Sequence, residues 1–271
     1  MKRFFLLSSL LLFVELAFSA EVDTVSIFSQ SMQKDIKSVV ILPDAYEGGT
    51  DFPVVYLLHG YGGDYADWVN KAPKIKELAD EYSFIIVCPD GGKGSWYWDS
   101  PIDENFKYET FVAKELVEWV DQNYKSLPSR EGRAITGLSM GGHGALYVAF
   151  KNQDVFGAAG STAGGVDIRP FPKNWDMEHR LGSYAKNPQR WDEHTVINML
   201  HLLTPNSLHL IIDCGTSDFF NLVNIKLHEE MVSRNIEHTF ISQPGAHNWD
   251  YWQKSISYQM LFMNTFFKKA K

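Results

Sequence analysis

Apolar residues in this chain come in short unbroken runs, separated by longer stretches where they recur every three or four positions. Phe52-Pro53-Val54-Val55-Tyr56-Leu57-Leu58 is apolar throughout, the pattern of a central strand buried on both faces. Residues 84–88, 133–136, 156–162, 207–214 and 237–242 read as further strands, and 23–29 and 36–43 as an antiparallel pair ahead of them. Between them lie helical faces. Ile75, Leu78, Ala79 and Tyr82 share one side of a helix, and Val112, Leu116, Trp119, Val120 and Asn123 one side of another over 109–124. Residues 220–235 read as a helix, and the last helix carries Trp249, Trp252, Ile256, Met260, Met263 and Phe267 on an apolar stripe that suits core packing. Strands alternating with helices predict an α/β fold: a mostly parallel central sheet of about eight strands with helices on both faces. The stretch 164–205, with Pro170, Pro172, Pro188 and Pro205, reads as an irregular cap-like insertion. No repeat, low-complexity run or linker divides residues 21–271, which read as one domain.

The first 20 residues break the pattern. Lys2 and Arg3 precede a mainly apolar run from Phe4 to Val14, too short to span a bilayer, and the small residues Ala17, Ser19 and Ala20 follow. This reads as a signal peptide cleaved after Ser19 or Ala20, with no cysteine nearby for a lipid anchor. A secreted or periplasmic protein with no membrane anchor in its mature form is expected. The 271 residues suffice for one sizeable core. The net charge of −8, with no basic run, argues against a nucleic-acid partner. Export invites a disulfide between the two cysteines, Cys88 and Cys214. Each ends a buried strand, however, and the expected sheet puts those strands four places apart. At about 4.8 Å per strand that is roughly 19 Å, far beyond disulfide reach.

The candidate chemistry begins at Gly137-Leu138-Ser139-Met140-Gly141, a G-x-S-x-G turn between a β-prone run and a helical one. Ser139 would sit on a strained turn, with glycines at 137 and 141 because strand and helix pass close on either side. A plain glycine-rich turn is the ordinary alternative, and the flanking strand and helix favour the nucleophile. In doubly wound sheets ligands bind at the carboxyl ends of the strands. The loop after 207–214 supplies Asp218, and the loop after 237–242 supplies His247. The order Ser139, Asp218, His247 is that of an α/β-hydrolase, with His247 as base and Asp218 orienting it. Asp213 is the rival acid, though it lies within its strand. Asp218 also has an ordinary alternative as a helix cap. Two oxyanion donors are needed. Met140 N–H follows the nucleophile, and the loop His59-Gly60-Tyr61-Gly62-Gly63 offers Tyr61 N–H, or failing that Gly60.

The loop after 84–88 is unusually aromatic. Trp96, Tyr97 and Trp98 would suit an aromatic acyl group or a sugar face if exposed beside the nucleophile; otherwise they pack against the fold. No Cys/His/Asp cluster has metal-ligand spacing and no dinucleotide fingerprint is present, so no metal or cofactor is expected.

Five pieces then occur in a familiar order: Leu57-Leu58-His59-Gly60-Tyr61-Gly62-Gly63, Ser95-Trp96-Tyr97, Gly137-Leu138-Ser139-Met140-Gly141-Gly142, Cys214-Gly215-Thr216-Ser217-Asp218, and Gly245-Ala246-His247-Asn248-Trp249-Asp250-Tyr251-Trp252. Together they resemble the esterase family that includes esterase D (S-formylglutathione hydrolase), tributyrin esterases, microbial feruloyl and acetylxylan esterases, siderophore esterases and mycolyltransferases. The resemblance implies serine esterase chemistry at Ser139, Asp218 and His247, with Tyr61 and Met140 as oxyanion donors. Residues 139–146 are similar to the esterase D elbow, and the segment around His247 to tributyrin and feruloyl esterases. The cysteine that esterase D enzymes often carry after the His-Gly loop is missing here. The expectation is an exported carboxylic-ester hydrolase most similar to feruloyl and acetylxylan esterases, acting on a small-molecule or carbohydrate ester. An enzyme on a thioester, a siderophore lactone or a short-chain acylglycerol is the alternative within the family, and a non-catalytic hydrolase-fold binding protein the alternative outside it.

Overall fold

A computed structural model describes residues 20–269. The export segment read at 1–20 lies, Ala20 apart, outside them. Eight strands form one sheet: β1 (Glu21–Ser29), β2 (Lys34–Leu42), β3 (Val54–Leu58), β4 (Ile85–Pro89), β5 (Arg133–Gly137), β6 (Ala158–Thr162), β7 (His209–Gly215) and β8 (Thr239–Gln243). Their spatial order is β1-β2-β4-β3-β5-β6-β7-β8. The β1–β2 and β2–β4 pairs are antiparallel, and every pair from β4 across to β8 is parallel.

The unbroken apolar runs occupy the middle of this sheet because both faces are covered. All five residues of β3 are buried, as are those of β4, β5 and β6. Val54, Tyr56 and Leu58 point into one core, with the elbow helix Met140–Lys151 and the helix Leu116–Asn123. Val55 and Leu57 point into the other, with the helix Lys74–Tyr82 and the C-terminal helix Trp249–Lys269. The elbow helix is apolar nearly all round, and every residue from Met140 to Phe150 is buried. Four strand positions separate Cys88 in β4 from Cys214 in β7, and both thiols are free and buried.

The helix expected over 109–124 is not uniform. It begins at Tyr108, widens into a π-turn over Phe111–Glu115, and resumes as α-helix over Leu116–Asn123. Glu115 at the end of the π-turn accepts hydrogen bonds from Ser29 Oγ (2.6 Å) and Ser31 N–H (2.7 Å), tying the helix to the β1–β2 turn. The stretch 164–205 folds into short helical pieces, Met177–Leu181, Pro188–Glu193 and the 3₁₀ segment Val196–Leu202. Met177, Leu181, Trp191 and Leu200 anchor it in the core beside the elbow helix.

Candidate active site

β5 runs straight into the elbow helix, and Ser139 occupies the turn between them with φ 55° and ψ −117°, a strained conformation for a residue with a side chain. The tightness comes from close approach to β3. A Cβ on Gly137 would lie 2.6 Å from the Leu58 carbonyl oxygen, and one on Gly141 2.5 Å from the same atom. The turn is held from the other side by Ser139 N–H donating to the Thr162 carbonyl (2.9 Å) at the end of β6. Ser139 therefore stands at the carboxyl edge of the sheet, at the N-terminus of a helix whose dipole favours negative charge there.

The loops after β7 and β8 bring the other two groups to it. His247 Nε2 lies 2.9 Å from Ser139 Oγ, and His247 Nδ1 lies 2.7 Å from Asp218 Oδ2. Asp218 Oδ1 accepts the Phe220 N–H (2.8 Å), which fixes the carboxylate; the helix that follows starts at Asn221 with Phe220 at its N-cap, so Asp218 is not its cap. The Asp218 side chain is fully buried. The imidazole is thus held with Nδ1–H toward the carboxylate and its Nε2 lone pair toward the serine hydroxyl. The rival, Asp213, is not in contact with His247; Tyr251, Ser255, Gln259 and Thr162 occupy its oxygens.

The loop after β3 is pinned from beneath. Gly91 N–H donates to His59 Nε2 (2.7 Å), so the other ring nitrogen, Nδ1–H, donates to the Gly60 carbonyl (2.8 Å). The Tyr97 hydroxyl donates to the His59 carbonyl (3.2 Å) and accepts the His59 N–H (3.1 Å). In a trans peptide the N–H points opposite to the carbonyl of the same unit. Holding the two carbonyls down turns the N–H groups of Gly60 and Tyr61 the other way. Among the described residues, these N–H groups and that of Met140 have no protein acceptor.

The aromatic loop requires a correction. Trp96, Tyr97 and Trp98 are 1%, 0% and 0% exposed and form no open platform beside Ser139. Trp96 and Trp98 stack on one another, with ring centroids 5.6 Å apart, and Trp98 Nε1–H donates to His143 Nε2 (2.9 Å). His143 Nδ1–H in turn donates to the Gly165 carbonyl (2.9 Å). These rings support the elbow helix and the 59–63 loop from below, with no face left for a substrate. Burial lowers the His143 pKa from 6.5 to about 3. An unfolded histidine binds a proton below about 6.5, and the folded protein refuses it until about 3. His143 therefore leaves stability intact above that upper value and erodes it as pH falls through the window. Denaturant unfolding between pH 7 and 4 should show this loss, with a shallower slope in His143→Gln. An equal slope would place the titration elsewhere.

The open surface beside Ser139 is aromatic in a different way. A cleft of about 410 Å³ is lined by the 60–63 loop, Ser139, His247, Trp175, Phe219, Trp249 and Trp252. Trp175 and Phe219 stack at 5.7 Å, and Phe219, about half exposed, lies 4.2 Å from the His247 ring. Trp175 and Asp176 both have positive φ. They are held by Trp96 Nε1–H to the Trp175 carbonyl (3.1 Å) and Tyr61 O–H to Asp176 Oδ2 (2.9 Å). The C-terminal helix contributes more than core. Trp252 meets the His247 ring edge-on at 5.0 Å, and Trp249 lies beside it with Lys71 Nζ 5.4 Å from its ring centre. A larger cavity of about 740 Å³ lies at the other end of β7 and β8, and no serine–histidine hydrogen bond occurs in it among the described residues.

A serine on a tight turn after one strand, and an aspartate and a histidine after two later ones, is the chain order of the α/β-hydrolases, and the sheet is theirs too. The chain belongs to the esterase family described as "Putative esterase", which it matches over residues 29–263. It is 37% identical over 134 residues to an esterase of Mycobacterium tuberculosis, a match covering 48% of this chain. That match spans only 29% of the relative's length. It is 26% identical over 253 residues to an acetyl esterase of Caldicellulosiruptor saccharolyticus, covering 86% of this chain and 94% of that one. A solved ferulic acid esterase superposes with a TM-score of 0.80 at 26% identity, covering 92% of this chain and 99% of its own.

Proposed function

We propose that this protein is a serine carboxylic-ester hydrolase that releases feruloyl or acetyl groups from plant carbohydrate esters through an acyl-enzyme on Ser139. The observation that carries the chemistry is the hydrogen-bonded series from Ser139 Oγ through His247 to Asp218. Ser139 Oγ attacks the ester carbonyl while His247 Nε2 takes its proton. The oxyanion is held by Met140 and Tyr61 N–H, and the alcohol leaves with the proton from His247. Water then attacks the acyl carbonyl while giving a proton to His247, and His247 returns that proton to Ser139 Oγ as the acid leaves. Asp218 holds the ring and stabilises its charged form. The aromatic walls of the cleft, and the likeness to an acetyl esterase and a ferulic acid esterase, support the substrate class. Such substrates lie outside the cell, in keeping with the export segment read at 1–20. An N-terminus at Ala20 or Glu21 in protein recovered from the medium or periplasm is the expected outcome.

A fluorophosphonate probe should label the protein at Ser139 and fail to label Ser139→Ala. Labelling that survives the substitution would remove Ser139 from the chemistry. Compared by kcat/KM, feruloyl or acetyl sugar esters should outcompete S-formylglutathione; a preference of two orders of magnitude for the thioester would overturn the carbohydrate reading. Trp175→Ala should cost a feruloyl ester several-fold more than an acetyl ester, since a stacked ring pair is worth about 0.5–1.5 kcal/mol beyond its buried area. Equal losses on the two esters would show that the Trp175–Phe219 wall does not face the acyl group.

A further inference from the structure

We infer that Asp213 is a positioning residue, whose buried carboxylate sets the spacing of nucleophile and base by tying the end of β6 to the first turns of the C-terminal helix. The inference rests on the reading of Ser139 and His247 given above. Asp213 is fully buried in β7 and is paired with no cation among the described residues. An isolated buried carboxylate is costly, and this one is offset by four donors from two elements. Oδ1 accepts from Tyr251 O–H (3.0 Å) and Ser255 Oγ (2.6 Å). Oδ2 accepts from Thr162 Oγ1 (2.8 Å) and Gln259 Nε2 (2.6 Å).

Three of these four bonds lead to the chemistry. Thr162 is the last residue of β6, and its carbonyl takes the Ser139 N–H (2.9 Å). The Asp213 carbonyl takes the next N–H, Ala163 (2.7 Å), so side chain and main chain of Asp213 grip one corner together. Moving Thr162 therefore moves the backbone of the nucleophile. On the other side, Tyr251 follows His247 by four residues. Its N–H caps onto Asn248 (3.2 Å), and its ring lies against Gly245, where a Cβ would come within 2.2 Å of Cδ2. The Gly245 carbonyl takes the Ser217 N–H (2.8 Å), beside Asp218. Where the Tyr251 phenol sits thus fixes the loop that carries the base. A third link runs through Gln259, whose Oε1 accepts from Thr136 Oγ1 (2.8 Å) in β5, the strand leading into the elbow. One carboxylate joins three strands and a helix around a reacting pair 2.9 Å apart. Burial raises the Asp213 pKa and the four donors oppose that rise.

The test separates positioning from simple support. Thr162→Val removes the hydroxyl at nearly constant volume, Thr162→Ser keeps it, and Tyr251→Phe removes only the phenol oxygen. Each is compared with wild type for kcat and KM on p-nitrophenyl acetate, for the rate of fluorophosphonate labelling, and for melting temperature. Thr162→Val and Tyr251→Phe are expected to remain folded at 25 °C and to lower kcat and labelling rate about 10-fold, with KM within about twofold, because a displacement of 1 Å can cost roughly 10² in rate. Thr162→Ser should stay within about twofold of wild type, and the double variant should lose less than the product of the single losses, since both act through Asp213. Folded variants that keep kcat within twofold overturn the inference, as does Thr162→Ser losing as much as Thr162→Val. If Thr162→Val does not fold, Tyr251→Phe decides by the same criteria. Wild-type protein that the probe does not label sinks the esterase reading itself, whereas labelled wild type with indifferent variants sinks only the role of Asp213.

Discussion

Ser139→Ala and His247→Ala should each lower kcat about 10⁴–10⁶-fold, and the double variant should lose little more than either alone. The geometry gives the reason. Among the described residues the serine hydroxyl has a single acceptor poised for its proton, His247 Nε2 at 2.9 Å, and neither group does the other's work when its partner is gone. What survives in either variant is the binding cleft and the backbone N–H groups, which stabilise the oxyanion weakly without a nucleophile to create it. Both variants should melt near the wild-type temperature. Ser139 is a small side chain lining the cleft, and His247 is partly exposed, so neither removal opens a cavity in the hydrophobic core. The measurement is kcat on an activated ester, corrected for spontaneous hydrolysis. Losses that multiply in the double variant would mean that the two residues act in separate steps, and a loss under tenfold in His247→Ala would assign the base elsewhere.

The fold was legible where a segment's surroundings are uniform. β3 and β4 are unbroken apolar runs because helices cover both faces, and period alone located them. The elbow was legible for a different reason. Gly137 and Gly141 stand where β3 leaves no room for a Cβ, a local constraint that leaves a mark in the sequence. The π-turn at Phe111–Glu115 left none, because the bond that accompanies it joins Glu115 to Ser29 and Ser31, more than eighty positions away.

The same contrast runs through the cleft. Ser139, Asp218 and His247 follow strand ends in a fixed order, so topology brings them together without any knowledge of side-chain packing. Aromatic residues carry no such address. Trp96, Tyr97 and Trp98 follow β4, a position that leaves exposure and packing equally open; all three rings are buried, and Trp96 and Tyr97 have positive φ. Trp175 and Phe219 came instead from the irregular insertion and from beside the acid. Their signal was weak: Phe219 directly follows Asp218, so its ring had to lie near His247, but nothing in the period of 164–205 fixed where Trp175 would fall. Trp249 and Trp252 do sit on the apolar stripe of the last helix, and its first turn reaches the cleft before the stripe enters the core.

Asp218→Asn should lower kcat up to about 10⁴-fold in a protein that still folds. The carboxylate accepts the His247 Nδ1–H at 2.7 Å through one oxygen and the Phe220 N–H at 2.8 Å through the other. An asparagine preserves the shape but has only one acceptor oxygen. If that oxygen keeps the Phe220 N–H, the amide presents hydrogens to Nδ1 and favours the tautomer that carries its proton on Nε2. That proton faces Ser139 Oγ, so the imidazole donates to the serine where it needs to accept. The imidazolium formed during attack also loses its counter-charge. The buried surroundings of Asp218 make this loss large, because little water reaches the site to replace the carboxylate. Asp213→Asn acts by another route. It replaces one accepting oxygen with an amide NH2, a donor, among Gln259, Thr162, Ser255 and Tyr251, which are themselves donors, and should lower the melting temperature as well as the rate. The two are distinguished by measuring kcat and melting temperature together: Asp218→Asn loses rate with its melting point nearly kept, and Asp213→Asn loses both. Full activity in a folded Asp218→Asn protein would remove Asp218 from the mechanism, because no other carboxylate is hydrogen-bonded to His247 among the described residues.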